Sequence, residues 1–425
     1  VTFPTLITEI AFTQNTGSYL VLDDTTNGKL DTNQLAAGAG FVAVWTDVTS
    51  YLQQFVCQRG RQRQVDQFAT GSYTAQLKNI DGRFSPSNLS GPYVSSGVTE
   101  VQPGIAIRQR ATWNGTTYNL WYGYIHEWDH DVAVDTPAAI FANVHAVDGF
   151  QRFSRMTIPT GSPVGGGETS GARVARVLDA AGWDGGMRDL DAGQATMQAA
   201  DSSGVVLQTL QTIADSESGS IYMGEQGATT FRARYARITN TRSNTSQATF
   251  TDSSGGGGTG YCVIVPRHDD SLVVNNAQFT AVGGSTQTAN DATSQAQYGV
   301  ISLQKSNLLN QADTDVLGAA GWVVGRFRNP EFRVDSITIK PQANPSTLWP
   351  LVLGLKIDDR ITVTHHPKRG DSITQDCFIE AISHSWTVGN IWQTTFQLSS
   401  AAAWLPFFIL DSTTQGVIDT NVLAY

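Results

Sequence analysis

Hydrophobic periodicity divides the chain into stretches of different texture. Up to about residue 160, apolar residues alternate with polar ones or gather in short β-branched and aromatic runs. Tyr118–Trp128 predicts one aromatic strand, and Pro137–Val147 predicts another that ends at Asp148-Gly149. No helical period of useful length interrupts this region. Beyond Gly165-Gly-Gly167 the period changes. Val174, Val177, Leu178 and Ala181 fall at i, i+3, i+4 and i+7, and Gly182 follows as a stop. A second helix carries Val206, Leu210, Ile213 and Ala214 on one face; Ser202 or Ser203 can cap its start, and Gly219 lies just past its end. Ser220–Met223 and Thr229–Arg234, joined by a turn at Gly227, complete a small α+β module as a hairpin.

The last block returns to strands with one helix inside. Val316, Ala319, Ala320, Val323 and Phe327 make an apolar stripe that Asn329-Pro330 ends. Gly318, Gly321 and Gly325 interrupt that helix, each costing ~1 kcal/mol relative to Ala. Their presence predicts that a sheet approaches the helix backbone closely. Arg360–Thr364, Cys377–Ile382 and Ile391–Leu398 read as strands, with Trp392, Thr394, Phe396 and Leu398 on one face. The expected fold class is therefore mainly β with an α+β insert. Two β-barrel domains, 1–160 and 263–400, are separated by a module at 161–262. Residues 401–425 follow the final strand. Trp404, Leu405 and Phe407 to Leu410 are too apolar to stand in solvent, while Pro406 disfavours a central strand. This segment reads as a docking arm for a neighbouring chain, anchored by Trp404 and Phe407, with packing on its own barrel as the alternative.

Composition narrows the function classes. A chain of 425 residues exceeds one ordinary core, so two to four domains are expected. Its net charge of −10 argues against a nucleic-acid-binding surface. Arg59-Gly-Arg-Gln-Arg63 is the one locally basic stretch and reads as a solvated or interface patch. Cys57, Cys262 and Cys377 are odd in number and far apart, forming neither a disulfide framework nor a Cys-x-x-Cys metal pair. That suits assembly in a reducing cytoplasm. No apolar run approaches the ~18 residues of a spanning helix, and Val-Thr-Phe-Pro does not open a signal peptide.

The candidates for chemistry fail on geometry. His126-Glu127-Trp128-Asp129-His130 matches the zinc-peptidase pattern letter for letter, but that pattern needs a helix. On a strand the two imidazoles stand ~13 Å apart, and Glu127 faces away from both. His365 and His366 are adjacent in an extended segment, so they point to opposite faces. Asp358-Asp359 and Asp269-Asp270 read as turns with side-chain hydrogen bonds. Ser253-Ser-Gly-Gly-Gly-Gly258 lacks the Lys-Ser/Thr of a phosphate loop, and no Gly-x-Ser-x-Gly elbow occurs. The ten tryptophans would suit sugar stacking, but core and interface packing is their commoner use. No catalytic, metal or cofactor residue is assigned.

The segment Leu77-Lys-Asn-Ile-Asp-Gly-Arg-Phe-Ser-Pro-Ser-Asn88 packs turn residues after a strand. Trp45-Thr-Asp47, Arg59-Gly-Arg61 and Phe68–Leu77 precede it; Gly91-Pro92-Tyr93, Pro103-Gly104 and Tyr118–Trp128 follow. The series resembles the minor tail proteins of long-tailed phages infecting actinobacteria, and within them the tail-tip, or baseplate, hub. Weaker likeness continues through the helical module and from Ser294-Gln-Ala-Gln-Tyr-Gly299 to Leu398. The resemblance makes Asn79, Asp81, Gly82, Arg83, Phe84 and Pro86 a structural signature turn. It departs at Asp358-Asp359, where hubs commonly carry Gly-Asp. It implies a homotrimer whose paired barrels form a pseudo-sixfold ring at the virion tail tip. Such a ring closes the tail tube and adapts sixfold to threefold symmetry for host attachment and genome ejection. The implied partners are the distal tail protein, the tape-measure protein and other tip or receptor-binding proteins. No membrane span and no sequence-specific nucleic-acid binding are expected. Neither is an appended hydrolase domain. A hexameric distal tail protein and a carbohydrate-binding tip module are the alternatives.

Overall fold

The structure, a computed structural model, describes residues 3–15, 42–95, 97–132, 140–252 and 259–402. Strand alternation organises most of it. In β3 (Leu52–Gly60) and β4 (Ala69–Lys78) the inward residues are Phe55, Cys57, Tyr73, Ala75 and Leu77, all buried, while Gln54, Gln58, Ser72 and Thr74 face solvent. The same alternation runs through β5 (Ala106–Trp113) and β7 (Ile140–Val147); β1 (Thr5–Asn15), β2 (Val42–Asp47) and β6 (Thr116–Val132) complete this part. The predicted aromatic strand is thus longer than expected; of the strand expected after it, Ile140–Val147 is a strand and Pro137 to Ala139 lie outside the described residues.

These strands join those of the C-terminal part in one 13-stranded sheet. β15 (Phe332–Ile339), β16 (Arg360–His365), β17 (Ile373–Thr387) and β18 (Ile391–Ser400) come from that part, with β10 (Ser246–Thr251) and β11 (Val263–His268). The order is β2-β1-β5-β6-β7-β4-β3-β17-β18-β15-β11, with β16 on β17 and β10 on β16. All pairings are antiparallel except β10 with β16. The two ends of the sequence are hydrogen-bonded through β3 and β17, from Ala381 opposite Gly60 to Thr387 opposite Gln54. Gly60 holds φ +115°, and a Cβ there would lie 2.3 Å from the Glu380 carbonyl oxygen. Only glycine lets the two strands meet at that point.

Three helices pack as their stripes require and others arise unexpectedly. α2 (Ser170–Ala180) and α3 (Val206–Glu217) bury Val174, Val177, Leu178, Leu210 and Ile213 against the hairpin of β8 (Ser220–Met223) and β9 (Thr229–Arg232). Neither Ser202 nor Ser203 caps α3; Val205 holds the N-cap position without a side-chain bond, and Ser218 closes the helix at φ +56°. α1 (Gly149–Arg155), inside the region read as all strand, starts where the Asp148 carboxylate accepts from the Phe150 N–H. Seven residues are too few for a periodicity reading. α5 (Pro345–Gly354) was hidden by Pro350 and by being apolar all round, the composition of a buried helix. Its Trp349 is fully buried at the join, edge-on to Trp392 at 5.4 Å and 6.1 Å from Trp113.

A second, smaller core lies between β11 and β15 in sequence. β12 (Asn276–Ala281) pairs with β13 (Thr286–Asn290) and β14 (Ser302–Leu308), and α4 (Asp313–Phe327) covers them. Val316, Ala319, Ala320 and Val323 face Phe279, Ala281 and Leu308 as the stripe predicted. The glycine expectation fails here. A Cβ at Gly321 or Gly325 would meet nothing within 4 Å, so these residues lie on the open side of the helix.

Candidate assembly site: the signature turn and an ionic junction

Asn79 follows β4 directly and organises the next segment. Its N–H reaches the Ile140 carbonyl, its Oδ1 accepts from the Phe84 N–H at 2.9 Å, and its Nδ2 donates to Ser85 Oγ. Beyond it the backbone makes four linked turns, with N–H groups of Gly82, Ser85, Asn88 and Gly91 bonding carbonyls three residues earlier. The expected turn is present. Gly82 adopts φ +68°, the left-handed conformation its neighbours cannot take cheaply. Pro86 stands exposed on the outer side of the second half.

The turns drive one aromatic ring inward. Phe84 is fully buried among Phe12, Tyr51, Tyr93 and Trp128, with ring centroids 5.5–6.3 Å away. Arg83 pairs with Asp81 (2.8 Å) and lays its guanidinium 4.1 Å over Tyr51. A cation on that ring face adds roughly 0.5–1 kcal/mol where solvent still reaches it. His130 Nε2 donates to the Phe84 carbonyl at 2.9 Å, fastening β6 to the turn.

That bond disposes of the zinc-peptidase pattern. His126, Glu127 and His130 lie on β6, as expected, but a bulge falls between Ile125 and Glu127. It turns His126 and Glu127 outward together, while Trp128 and His130 point back towards the aromatic cluster. The expectation that both histidines share one face is therefore corrected. Among the described residues, no group of three His, Cys, Asp or Glu side chains could hold a metal ion.

The other feature is electrostatic and was largely missed in the sequence. Glu380, on β17, is fully buried and meets Arg61 Nε at 2.7 Å, Arg237 at 2.8 Å and Ser399 Oγ at 2.6 Å. Burial alone would push its pKa up, but the Arg237 and Arg61 guanidiniums hold it far below the usual carboxylate range. Arg237 also donates to Asp358 at 2.6 and 2.9 Å, and Arg242 clasps Asp359. Asp358 and Asp359 form the expected turn, with Asp358 at φ +69°, but they are buried ion-pair members and not solvated turn carboxylates. Asp358 thus holds a left-handed position, which a glycine would take without steric cost. Arg59 is buried beside Glu225, which also pairs with Lys356. Of the basic stretch, only Arg63 is largely exposed, so the reading of a solvated patch is corrected. One signal was available: a glutamate inside the apolar run Cys377-Phe-Ile-Glu-Ala-Ile382 implies a buried partner.

His365 and His366 also depart from expectation. They converge, with His365 Nδ1 2.8 Å and His366 Nδ1 2.7 Å from opposite oxygens of Asp252. β16 ends at His365, so alternation no longer governs the next residue. Asp269 binds Ser271 and Arg333, as a capped turn should. Ser253 to Gly258, Trp404 and Phe407 lie outside the described residues. Six of the tryptophans, Trp113, Trp121, Trp183, Trp349, Trp386 and Trp392, are buried, which is the packing role and leaves no sugar platform among them. Cys57 and Cys377 are buried thiols with pKa values pushed up by burial, about 12 for Cys57; no disulfide forms among the described residues.

The architecture is shared with solved structures of tail proteins. A tail protein from Neisseria meningitidis MC58 aligns over 86% of this chain and 96% of its own, with a TM-score of 0.55 at 12% identity. The 43 kDa tail protein of prophage MuSo2 from Shewanella oneidensis aligns over 85% and 97%, with a TM-score of 0.52 at 12% identity. The chain has the fold of a prophage tail protein. No family model matches it, and no curated protein aligns significantly. At this identity the fold is common and the site residues are this chain's own.

Proposed function

We propose that this chain is a structural tail-tip, or baseplate hub, protein of a long-tailed phage. In this reading three copies form a ring that closes the tail tube, adapts sixfold to threefold symmetry and serves host attachment and DNA ejection. Its partners are the distal tail protein, the tape-measure protein and further tip or receptor-binding proteins. Residues 1–160 and 263–400 are the two hub-type units, 161–262 the module between them, and 401–425 the docking arm. The observation that carries the reading is the likeness to tail proteins over nearly the whole of both partners. The buried ionic junction supports it, since such a network holds the first strands, the α+β module and the last strands in one rigid relation. A ring needs that rigidity, because errors in the angle between units accumulate around it. No helix among the described residues is long and apolar enough to cross a membrane.

The mass of the purified oligomer tests the stoichiometry. Three copies agree with the proposal, whereas six point to the distal tail protein. Truncation after Ser400 tests the arm: the shortened chain should fold but fail to enter tails. Normal incorporation would remove the arm from the proposal.

A further inference from the structure

The last described residues lie beside a cavity. β18 closes at Ser400, and the Ala401 N–H still bonds the Asp376 carbonyl at 2.8 Å. Ala401 is fully buried in a cluster with Phe378, Ile238 and Trp322. Arg326 donates from Nη2 to the Ser400 carbonyl at 3.2 Å and to Gln64 Oε1 at 2.9 Å. Trp322 and Gln64, which thus border the end of β18, also line a cavity of about 320 Å³ where three parts of the fold meet. The loop after β3 supplies Gln64 and Phe68, the α+β module supplies Ile221, and the smaller core supplies Phe279, Leu303 and Trp322. Ligand-sized cavities run from ~300 to 1,000 Å³, so this one suits about one or two large side chains. Gln64 Nε2 is buried and finds no acceptor among the described residues, an arrangement that folded proteins rarely leave unmet.

The sequence beyond Ala402 matches that space. Ala403-Trp-Leu-Pro-Phe-Phe-Ile-Leu410 is apolar and carries no charge. Trp404 follows Ala402 by two residues, a reach of ~7 Å along an extended chain. So short a lead holds the indole beside the cavity at an effective concentration in the millimolar range, which favours it over the same segment of a second copy. We infer that the cavity is the seat of the chain's own Trp404, with a backbone carbonyl of the same segment accepting from Gln64 Nε2. Seated there, the indole touches all three parts at once and fixes the point from which the arm leaves. Asp411 to Gly416 then act as a tether, and Val417 to Tyr425 are left for a neighbouring chain. This goes beyond the tail-tip reading by giving the root of the arm a place in its own subunit, and it stands or falls in the isolated chain.

Limited chymotrypsin digestion of the purified full chain, read by intact mass, follows cleavage after Phe407 and Phe408. Trp404→Ala should speed that cleavage about tenfold or more, because a docked segment is cut only in its open fraction. Leu303→Trp, which fills the cavity from β14 and leaves Trp404 in place, should do the same. Cleavage of either folded variant at the wild-type rate overturns the inference. A second measurement identifies the occupant and decides alone should Leu303→Trp not fold. Ala403→Cys with Gln64→Cys, in a Cys262→Ser background, is oxidised with diamide and run on a non-reducing gel. A disulfide within one chain supports the inference; a bond joining two chains, or none, overturns it. Absence of the wild-type chain from purified tails would bear on the tail-tip role alone.

Discussion

Glu380→Gln is the sharpest test of the ionic junction. The substitution keeps size and one acceptor oxygen but removes the charge that Arg61 and Arg237 face at 2.7 and 2.8 Å. Breaking a buried pair from one side costs about 3–5 kcal/mol, because the remaining charge stays desolvated. The lower end applies here, since Arg237 keeps Asp358 at 2.6 Å and Arg61 keeps the Asp66 carbonyl at 3.1 Å. Unfolding entropy is about 2.1 cal/mol/K per residue, so ~3 kcal/mol lowers Tm by about 3 °C if the whole chain melts together, and about 7 °C for a unit of ~200 residues. Scanning calorimetry measures this directly. The pH dependence supplies an independent sign. The carboxyl of Glu380 is depressed from a usual value of 4.5, so its contribution is complete above that value and is lost as pH falls below it. The gap between wild type and variant should stay constant from pH 7 to about pH 5 and narrow below pH 4. Melting within about 1 °C of wild type at neutral pH, or a gap that widens on acidification, would refute the reasoning.

Other expectations are more local. Gly60→Ala should destabilise more than any surface change, because its Cβ would meet backbone of Glu380 and Ala381 at 2.3 and 2.5 Å; circular dichroism melting reads this, and an unchanged Tm would show that β3 and β17 can separate. Gly82→Val meets no severe clash, the nearest atom being Asn88 Nδ2 at 3.4 Å, so its loss should be the backbone term of roughly 1 kcal/mol or more. A variant melting like wild type would mean the turn tolerates a different φ. Elemental analysis of the purified chain should find no zinc that depends on His130; His130→Ala should instead lose the Phe84 carbonyl bond and about 1 kcal/mol of stability, read by urea titration.

Period and turn chemistry in the sequence already determined several of the elements: the strands around Tyr73 and Trp121, helices α2, α3 and α4, the β8–β9 hairpin and the turn at Gly82. These depend on interactions within a few residues, where spacing alone says which side chains share a face. The mainly β class followed from them. What only the tertiary structure decided lies at long range. Nothing local says that β17 pairs with β3, that Arg61 meets Glu380 across 319 positions, or that Asp252 gathers two histidines from more than 110 residues away. A bulge moved His126 to the other side of the sheet from His130, because one inserted residue reverses alternation without changing composition. Helix α5 stayed hidden because a helix buried on every side shows no period. The solvent side of β18, β17, β3, β4, β7 and β6 is the clearest case: its glutamines, serines and threonines look like ordinary strand exteriors one strand at a time, and become one surface only when six strands from both ends of the chain are set in register.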